Sequence, residues 1–201
     1  SMYDAAIYSM CYVPMIYLLT GRKPPRMGSA HPSIVPYQAF RDSEGKYFIV
    51  AAANDRLWEA MCKAIGLEEL LSDSRFRTNP DRVKNREVLI PILEEVFSKK
   101  PRDYWIKILE SSGVPVAPVY EIDEVFEDPH VKTSGTVTKM KHSKLGEIPQ
   151  LALPSLINGE KLLTKYPPPM LGEHTKEILK ELGYSNEEIE KLKMEGVIWY
   201  P

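Results

Sequence analysis

The sequence has few of the residues from which metal sites and disulfide frameworks are built. Its 201 residues include two cysteines and four histidines, and no CxxC or HExxH spacing occurs among them. We therefore expect no metal site. Cys11 and Cys62 lie in apolar helical contexts, which predicts free, buried thiols in the reducing environment of the cytoplasm. The sequence alone leaves a disulfide between them open.

The motifs that hold phosphates or present a serine nucleophile are missing as well. No GxGxxG or GxxxxGK[ST] loop occurs, and there is no GxSxG turn. The sequence therefore lacks the motifs that usually indicate chemistry with a nicotinamide cofactor, a nucleoside triphosphate or a serine nucleophile.

Strong net charge and long apolar runs are also absent. The net charge is −2, with acidic and basic residues interspersed, so no basic field attracts nucleic acid or an anionic membrane surface. The apolar stretch from Ala5 to Leu19 is about fifteen residues long, contains Pro14 and is shorter than the ~20 residues that cross a bilayer. It has neither the basic flank nor the cleavage site of a secretory signal. We expect a buried helix here, and neither a membrane nor nucleic acid as a partner.

The patterns that are present alternate between helical and strand periodicity, in a chain long enough for one or two domains. Helices are predicted over residues 3–19, from Asn54 to Gly66, over 82–97 with a kink or late start at Pro91, over 101–109, over 122–126 and near the carboxyl terminus. Antiparallel hairpins are predicted for strands 35–40 with 47–53, and 135–142 with 148–153.

The segment PPPMLGEHTKEILKELGY (167–184) joins a triple proline to an amphipathic helix. Three consecutive prolines cannot sit inside a helix, so we expect them to lie extended on a surface. Beyond them, Ile178, Leu179 and Leu182 recur at helical spacing. We interpret the segment as a docking element.

Together with SGVPVAPV (112–119) and GSAHPSIVPYQAF (28–40), this segment resembles the family III CoA-transferases, which include carnitine–CoA and formyl-CoA transferases and 2-methylacyl-CoA racemases. The resemblance covers nearly the whole chain but only the carboxyl-terminal half of such an enzyme. In the family, the aspartate that carries the acyl group lies upstream of the segment that DAAIYSM (4–10) resembles. The resemblance thus implies that this aspartate lies upstream of the chain, that no catalytic residue lies within it, and that the isolated chain is inactive.

The resemblance also implies an α/β fold. Enzymes of the family have a large doubly wound α/β domain into which a small domain is inserted, and two subunits are threaded through each other as an interlocked dimer. On this map, residues 1–30 are a linker helix from the large domain, 31–112 a small α+β domain, and 113–201 the return to the large domain. The amino-terminal half, with its parallel sheet, is absent.

The reaction that the resemblance implies moves CoA between carboxylic acids through an aspartyl-CoA thioester. The CoA thioester is then a substrate, and no permanently bound cofactor is expected. The expected partners are an acyl-CoA, a carboxylic acid, and either a second copy of the chain or a complementary amino-terminal half. A non-catalytic assembly fragment and a 2-methylacyl-CoA racemase are the alternatives.

The loop of Gly28, Ser29, Ala30 and His31 is predicted to be the active-site loop. Small residues let backbone N–H groups approach a ligand closely, and a neighbouring imidazole can donate or accept a proton. In formyl-CoA transferases, a glycine-rich loop ending in Gln-Pro folds over the reacting acyl group at this position. Here the loop has one glycine, and His31 replaces the glutamine. The alternative is a simple turn before Pro32.

Tyr37 and Asn54 are predicted to lie on the substrate side. Racemases of the family carry a glutamate near the position of Asn54, and an amide cannot shuttle a proton at an acyl α-carbon. This difference favours a transferase over a racemase. A plain helix cap is the alternative role for Asn54.

Overall fold

The computed structural model describes residues 1–162 and 164–201. The chain divides into two compact units, Ser1–Tyr120 and Glu121–Pro201. Helices and small sheets occur in both units, which confirms the mixed α and β structure predicted from the sequence. Within the described ranges every strand pairing is antiparallel, so the doubly wound parallel sheet of the family has no counterpart there.

The first unit begins with two short helices, α1 (Met2–Ser9) and α2 (Val13–Thr20). The prediction of one buried helix over 3–19 is wrong. The chain turns at Cys11, whose φ is 53°, and Pro14 lies in the first turn of α2, where its missing N–H costs no hydrogen bond. All residues of α1 and α2 are partly or fully exposed. Cys11, in the turn between the two helices, is exposed, contrary to prediction, whereas Cys62 is buried as predicted, and both thiols are free.

A three-stranded antiparallel sheet follows, with the order β1 (Tyr37–Arg41), β2 (Tyr47–Ala51) and β3 (Val116–Pro118). The predicted hairpin between β1 and β2 is confirmed. Its turn is held by Asp42, whose Oδ1 accepts the N–H groups of Glu44 and Lys46, each at 2.8 Å. The proline-containing strand β3 lies at a sheet edge, where a missing backbone donor is tolerated.

The remaining helices of the first unit are α3 (Asp55–Ile65), α4 (Asn79–Lys84), α5 (Arg86–Phe97) and α6 (Arg102–Ser111), with a 3₁₀ turn at Glu68–Leu71. The helix predicted over 82–97 is divided, but the break falls at Asn85 and Pro91 lies inside α5. The Asn85 side chain donates to the carbonyls of Arg75 (3.1 Å) and Asp81 (2.9 Å), which secures the break locally.

An aromatic cluster occupies the centre of the first unit. The ring of Phe97 contacts Phe40, Phe48 and Trp105 at centroid distances of 4.8, 5.2 and 5.3 Å, the last two edge-on. The Trp105 indole donates its N–H to the Phe97 carbonyl at 2.8 Å. Strands β1 and β2 are thereby packed on α5 and α6, which positions the chain segment that enters β1.

The second unit has the elements α7 (Ile122–Glu127), α8 (Pro129–Thr133), β4 (Val137–His142), β5 (Gly146–Leu151), β6 (Leu156–Ile157), β7 (Glu160–Lys161), α9 (Thr175–Glu181) and α10 (Asn186–Met194). The predicted hairpin of β4 and β5 is confirmed. The buried His142 closes its turn, because Nδ1 accepts the N–H groups of Lys144 (3.0 Å) and Leu145 (3.1 Å).

The carboxyl-terminal segment follows the predicted order. The three prolines 167–169 lie outside helices and strands, a turn leads from them into α9, and Ser185 begins α10 through a reciprocal capping box with Glu188. Across the described ranges, no helix combines the length and the apolar character needed to pass through a membrane.

Candidate functional site

The predicted loop 28–31 lies alongside the strand that it precedes. The Ser29 hydroxyl accepts the N–H of Ala39 at 3.1 Å, and the His31 N–H donates to the Tyr37 carbonyl at 2.9 Å. Gly28 has a φ of 59°, a conformation that a side chain disfavours. The loop is therefore attached to β1 at two points, and it brings His31 next to Tyr37.

The imidazole of His31 lies close to the rings of two tyrosines. Its ring stacks on Tyr37 with a centroid distance of 5.5 Å and an interplanar angle of 10°, and it lies 5.9 Å from the ring of Tyr12. Nδ1 accepts the Ser33 N–H at 3.2 Å. The Ser33 hydroxyl oxygen lies 3.4 Å from the same nitrogen and can donate or accept. The backbone N–H can only donate, so in the neutral ring this geometry favours a proton on Nε2, which can then act as a hydrogen-bond donor.

Two helix residues hold the backbone that follows His31. One guanidinium nitrogen of Arg86, Nη2, donates to the carbonyls of His31 and Pro32, both at 3.1 Å. Asn79 donates to the Ser33 carbonyl at 2.8 Å and accepts the Val35 N–H at 3.1 Å. Sequence reasoning missed both residues, because they lie on α4 and α5, far along the chain, with no local signal.

A buried arginine also holds the backbone that follows His31. Arg82 is fully buried, and its Nε donates to the Val35 carbonyl at 2.7 Å while Nη2 pairs with Asp55 at 2.8 Å. Its guanidinium also lies 5.0 Å from the ring centroid of Trp58. A charge that is paired and bonded in this way can be buried. It ties the segment before β1 to both α3 and α4.

Asn54 lies at the same end of the sheet as Tyr37, which pairs with Ala51. Its Oδ1 accepts the Leu57 N–H at 2.9 Å and caps α3. The capping role considered from the sequence is therefore present, and the side chain is exposed. Tyr37 is 38% exposed and presents its ring to His31.

Other features of the described chain offer less chemistry. Among the residues described, no group of three or more His, Cys, Asp and Glu side chains could hold a metal ion. The second unit contains an apolar cavity of about 570 Å³ between α7, α8 and the β4–β5 hairpin, lined by Phe126, Val137 and Leu151. Its cationic lining residue, Lys132, is paired with Glu127. The loop 28–31 with Tyr37 is thus the better candidate site.

The family model for CoA-transferase family III matches residues 1–175. The succinyl-CoA:glutarate CoA-transferase of Mus musculus is 39% identical over 183 residues, covering 90% of this chain and 42% of that protein. Its Homo sapiens counterpart is 37% identical over 196 residues, covering 97% and 44%.

Solved structures show the same relationship. A CAIB/BAIF family protein from Brucella suis matches with a TM-score of 0.71 and 37% identity, over 86% of this chain and 44% of that chain. The Rv3272 protein of M. tuberculosis matches with a TM-score of 0.70 at 22% identity, which shows a shared fold alone. The chain therefore spans less than half the length of the relatives it matches.

Proposed function

Because the chain belongs to CoA-transferase family III, we propose that it forms part of an enzyme that moves CoA between two carboxylic acids. The three motifs from which the family was predicted all take part in the match or adjoin it. The substrates are an acyl-CoA and a free carboxylic acid, and CoA is cargo and not a bound cofactor. The two free thiols fit a reducing compartment, and we place the enzyme in the cytoplasm.

We propose succinyl-CoA as the donor and glutarate as the acceptor to be tested first. The support is that the mouse and human relatives, which are 39% and 37% identical to the chain, are named succinyl-CoA:glutarate CoA-transferases. A related protein of Agrobacterium fabrum, 34% identical over 169 residues, is named a succinate–glutarate CoA-transferase. Short dicarboxylic acids are therefore the proposed substrate class.

The proposed reaction passes through an aspartate that we place upstream of this chain. Its carboxylate attacks the donor thioester, which forms a mixed anhydride and releases the CoA thiolate. The thiolate attacks the aspartyl carbonyl, giving the aspartyl-CoA thioester and the free donor acid. The acceptor carboxylate then reverses these steps, so that CoA leaves on the acceptor and the aspartate is regenerated.

The proposed role of this chain is to cover the reacting groups with the loop 28–31. The observation that carries this role is the geometry of His31, whose ring stacks on Tyr37 while Nδ1 is occupied by the Ser33 N–H. Nε2–H is then available to donate to an acyl or carboxylate oxygen. By excluding water, the loop protects the anhydride and thioester from hydrolysis. Tyr37 and Asn54 are proposed to line the substrate side.

The test compares His31→Ala with His130→Ala, an exposed histidine of the second unit, in the enzyme completed by its amino-terminal half. We expect His31→Ala to lower the transfer rate on the order of 10-fold to 100-fold and to raise thioester hydrolysis. His130→Ala should match the wild type, and the isolated chain should show no exchange. Unchanged transfer and hydrolysis in His31→Ala would contradict the covering role of the loop. CoA exchange by the isolated chain would contradict the proposal that the reacting aspartate lies upstream.

A second candidate function is that of an assembly module, and the exposed apolar residues of α1 and α2 favour it. Tyr8, Leu18 and Leu19 are 88%, 69% and 78% exposed. Large apolar side chains that are exposed to this extent on two consecutive helices are typical of an interaction surface. We propose a second copy of the chain or the complementary amino-terminal half as the partner.

A further inference from the structure

One peptide group lies between Arg86 and His31 and is bonded to both side chains. The carbonyl of Pro32 accepts from Arg86 Nη2 at 3.1 Å. The N–H of the same peptide group belongs to Ser33 and donates to His31 Nδ1 at 3.2 Å. The two bonds therefore leave this peptide in opposite directions.

The planarity of the peptide couples these two bonds. In a trans peptide the C=O and N–H point to opposite sides of the same plane, and the plane rotates as one body. When Arg86 holds the Pro32 carbonyl, it also aims the Ser33 N–H at the imidazole. Arg86 Nη2 also donates to the His31 carbonyl at 3.1 Å, so it holds the preceding peptide group, between His31 and Pro32, as well.

This arrangement favours one tautomer of His31, because the Ser33 N–H at 3.2 Å from Nδ1 can only donate, whereas the Ser33 hydroxyl at 3.4 Å can donate or accept. A backbone N–H can donate to Nδ1 when that nitrogen is unprotonated, so the ring proton is directed to Nε2. Stacking on Tyr37 and the nearby ring of Tyr12 limit the ring's rotation. The loop therefore presents a donor in a defined direction.

We infer that Arg86 is a positioning residue that fixes the tautomer and direction of His31 through the Pro32–Ser33 peptide. The Nε2–H of His31 is the group that meets the acyl or carboxylate oxygen of the substrate. This inference rests on the proposed covering role of the loop for its consequence in catalysis. The tautomer itself is a property of the chain and is measured without any substrate.

The first experiment uses long-range ¹H–¹⁵N spectra of the chain to identify the ring tautomer of His31. We expect the Nε2–H tautomer in the wild type, with a scalar coupling across the bond from the Ser33 N–H to Nδ1. Arg86→Met retains an apolar side chain but no donor, and should give a mixture of tautomers. Arg75→Met is the control, because Arg75 is paired with Asp73 at the surface.

Several results would overturn the inference. They are an Nδ1–H tautomer or a missing coupling in the wild type, an unchanged tautomer in folded Arg86→Met, and an equal change in Arg75→Met. If Arg86→Met does not fold, the wild-type coupling from the Ser33 N–H to Nδ1 still tests the tautomer that the inference requires. Arg86→Lys keeps a cationic donor and is expected to retain the Nε2–H tautomer.

The second experiment measures transfer by the enzyme completed with its amino-terminal half. Arg86→Met should lower kcat on the order of 10-fold to 100-fold with little change in the KM for the acyl-CoA, and Arg86→Lys should recover part of the loss. If His31→Ala leaves the transfer rate unchanged, the proposed function of the loop is wrong, but the spectra still test whether Arg86 controls the tautomer of His31. An impaired His31→Ala beside a fully active Arg86→Met would defeat the positioning role alone.

Discussion

Arg82 illustrates how much a single side chain contributes to the site without touching it. Its guanidinium is fully buried, yet it bonds the Val35 carbonyl and pairs with Asp55. The side chain of Asp55 is 60% exposed, so removing its carboxylate leaves the buried Arg82 charge without its ionic partner, whereas removing Arg82 leaves a carboxylate that water can solvate. Arg86 and Asn79 extend the same anchor toward His31. The candidate loop is held by residues that supply no chemistry of their own.

The two cysteines differ in environment, and the buried one makes stability depend on pH. Burial raises the pKa of the Cys62 thiol from its ordinary value of 9.0 to about 12, with the charge of Arg82 partly opposing the rise. Between these values the unfolded chain releases the proton while the folded chain keeps it, so ionisation favours unfolding. The contribution of Cys62 is therefore complete below pH 9 and is lost as the pH rises toward 12.

We accordingly expect the stability of the wild type relative to Cys62→Ala to fall by about 1.4 kcal/mol per pH unit above the ordinary thiol pKa. Urea titrations at a series of pH values measure the free energy of unfolding of both proteins. Cys11→Ala, which alters an exposed thiol, is the control and should follow the wild type at every pH. If the free energy of unfolding changes with pH in the same way for the wild type and Cys62→Ala, the raised pKa of Cys62 is contradicted.

At the scale of elements, the turn before α9 depends on close packing. Gly172 has a φ of +70°, and a Cβ there would lie 2.6 Å from Trp199 Cε3 and 2.6 Å from the Trp199 carbonyl oxygen. The carbonyl belongs to the backbone and cannot swing away as a side chain could. The turn after the triple proline therefore packs so closely against Trp199 that position 172 has no room for a side chain.

Replacement of Gly172 by Ala should therefore destabilise the second unit by about 3 kcal/mol, through overpacking added to the unfavourable φ. Gly183→Ala is the matched control, since Gly183 has a φ of +92° with open space around it, and it should cost about 1 kcal/mol. Urea unfolding followed by circular dichroism compares the two variants. Equal losses would show that contact with Trp199 is unimportant.

At the scale of the whole molecule, the exposed apolar helices α1 and α2 predict association. We expect the isolated chain to self-associate, and the double substitution Leu18→Lys with Leu19→Lys to weaken the association at least tenfold, because it places two charges in the apolar surface. Sedimentation velocity over a range of concentrations measures the change. Leu145→Lys, which alters an exposed apolar residue of the β4–β5 turn, should leave it unaltered.

Deleting residues 167–201 provides the complementary measurement. If the deletion abolishes association while the Leu18 and Leu19 substitutions leave it unchanged, the proline segment and its helix are the interface instead of α1 and α2. That outcome would support the docking role predicted from the sequence for 167–184 and contradict the role of the amino-terminal helices.

Local chemistry in the sequence determined most elements, because their signals lie within a few residues of one another. The strand-like runs 35–40 and 47–53 predicted the β1–β2 hairpin, and Asn54 predicted the start of α3. Motifs predicted the family and singled out the loop 28–31. The first helix was predicted wrongly, because its apolar residues resemble a core helix although they are exposed in this chain.

Tertiary structure alone decided how the candidate loop is held. Arg86 and Asn79 lie 55 and 44 residues from the carbonyl and amide groups that they bond, and no local pattern encodes such a pairing. The stack of His31 on Tyr37 and the bond from the Ser33 N–H to Nδ1 depend on the packing of β1 against the helices. Sequence can name a histidine as an acid or base, but its partners across the fold decide which ring nitrogen carries the proton.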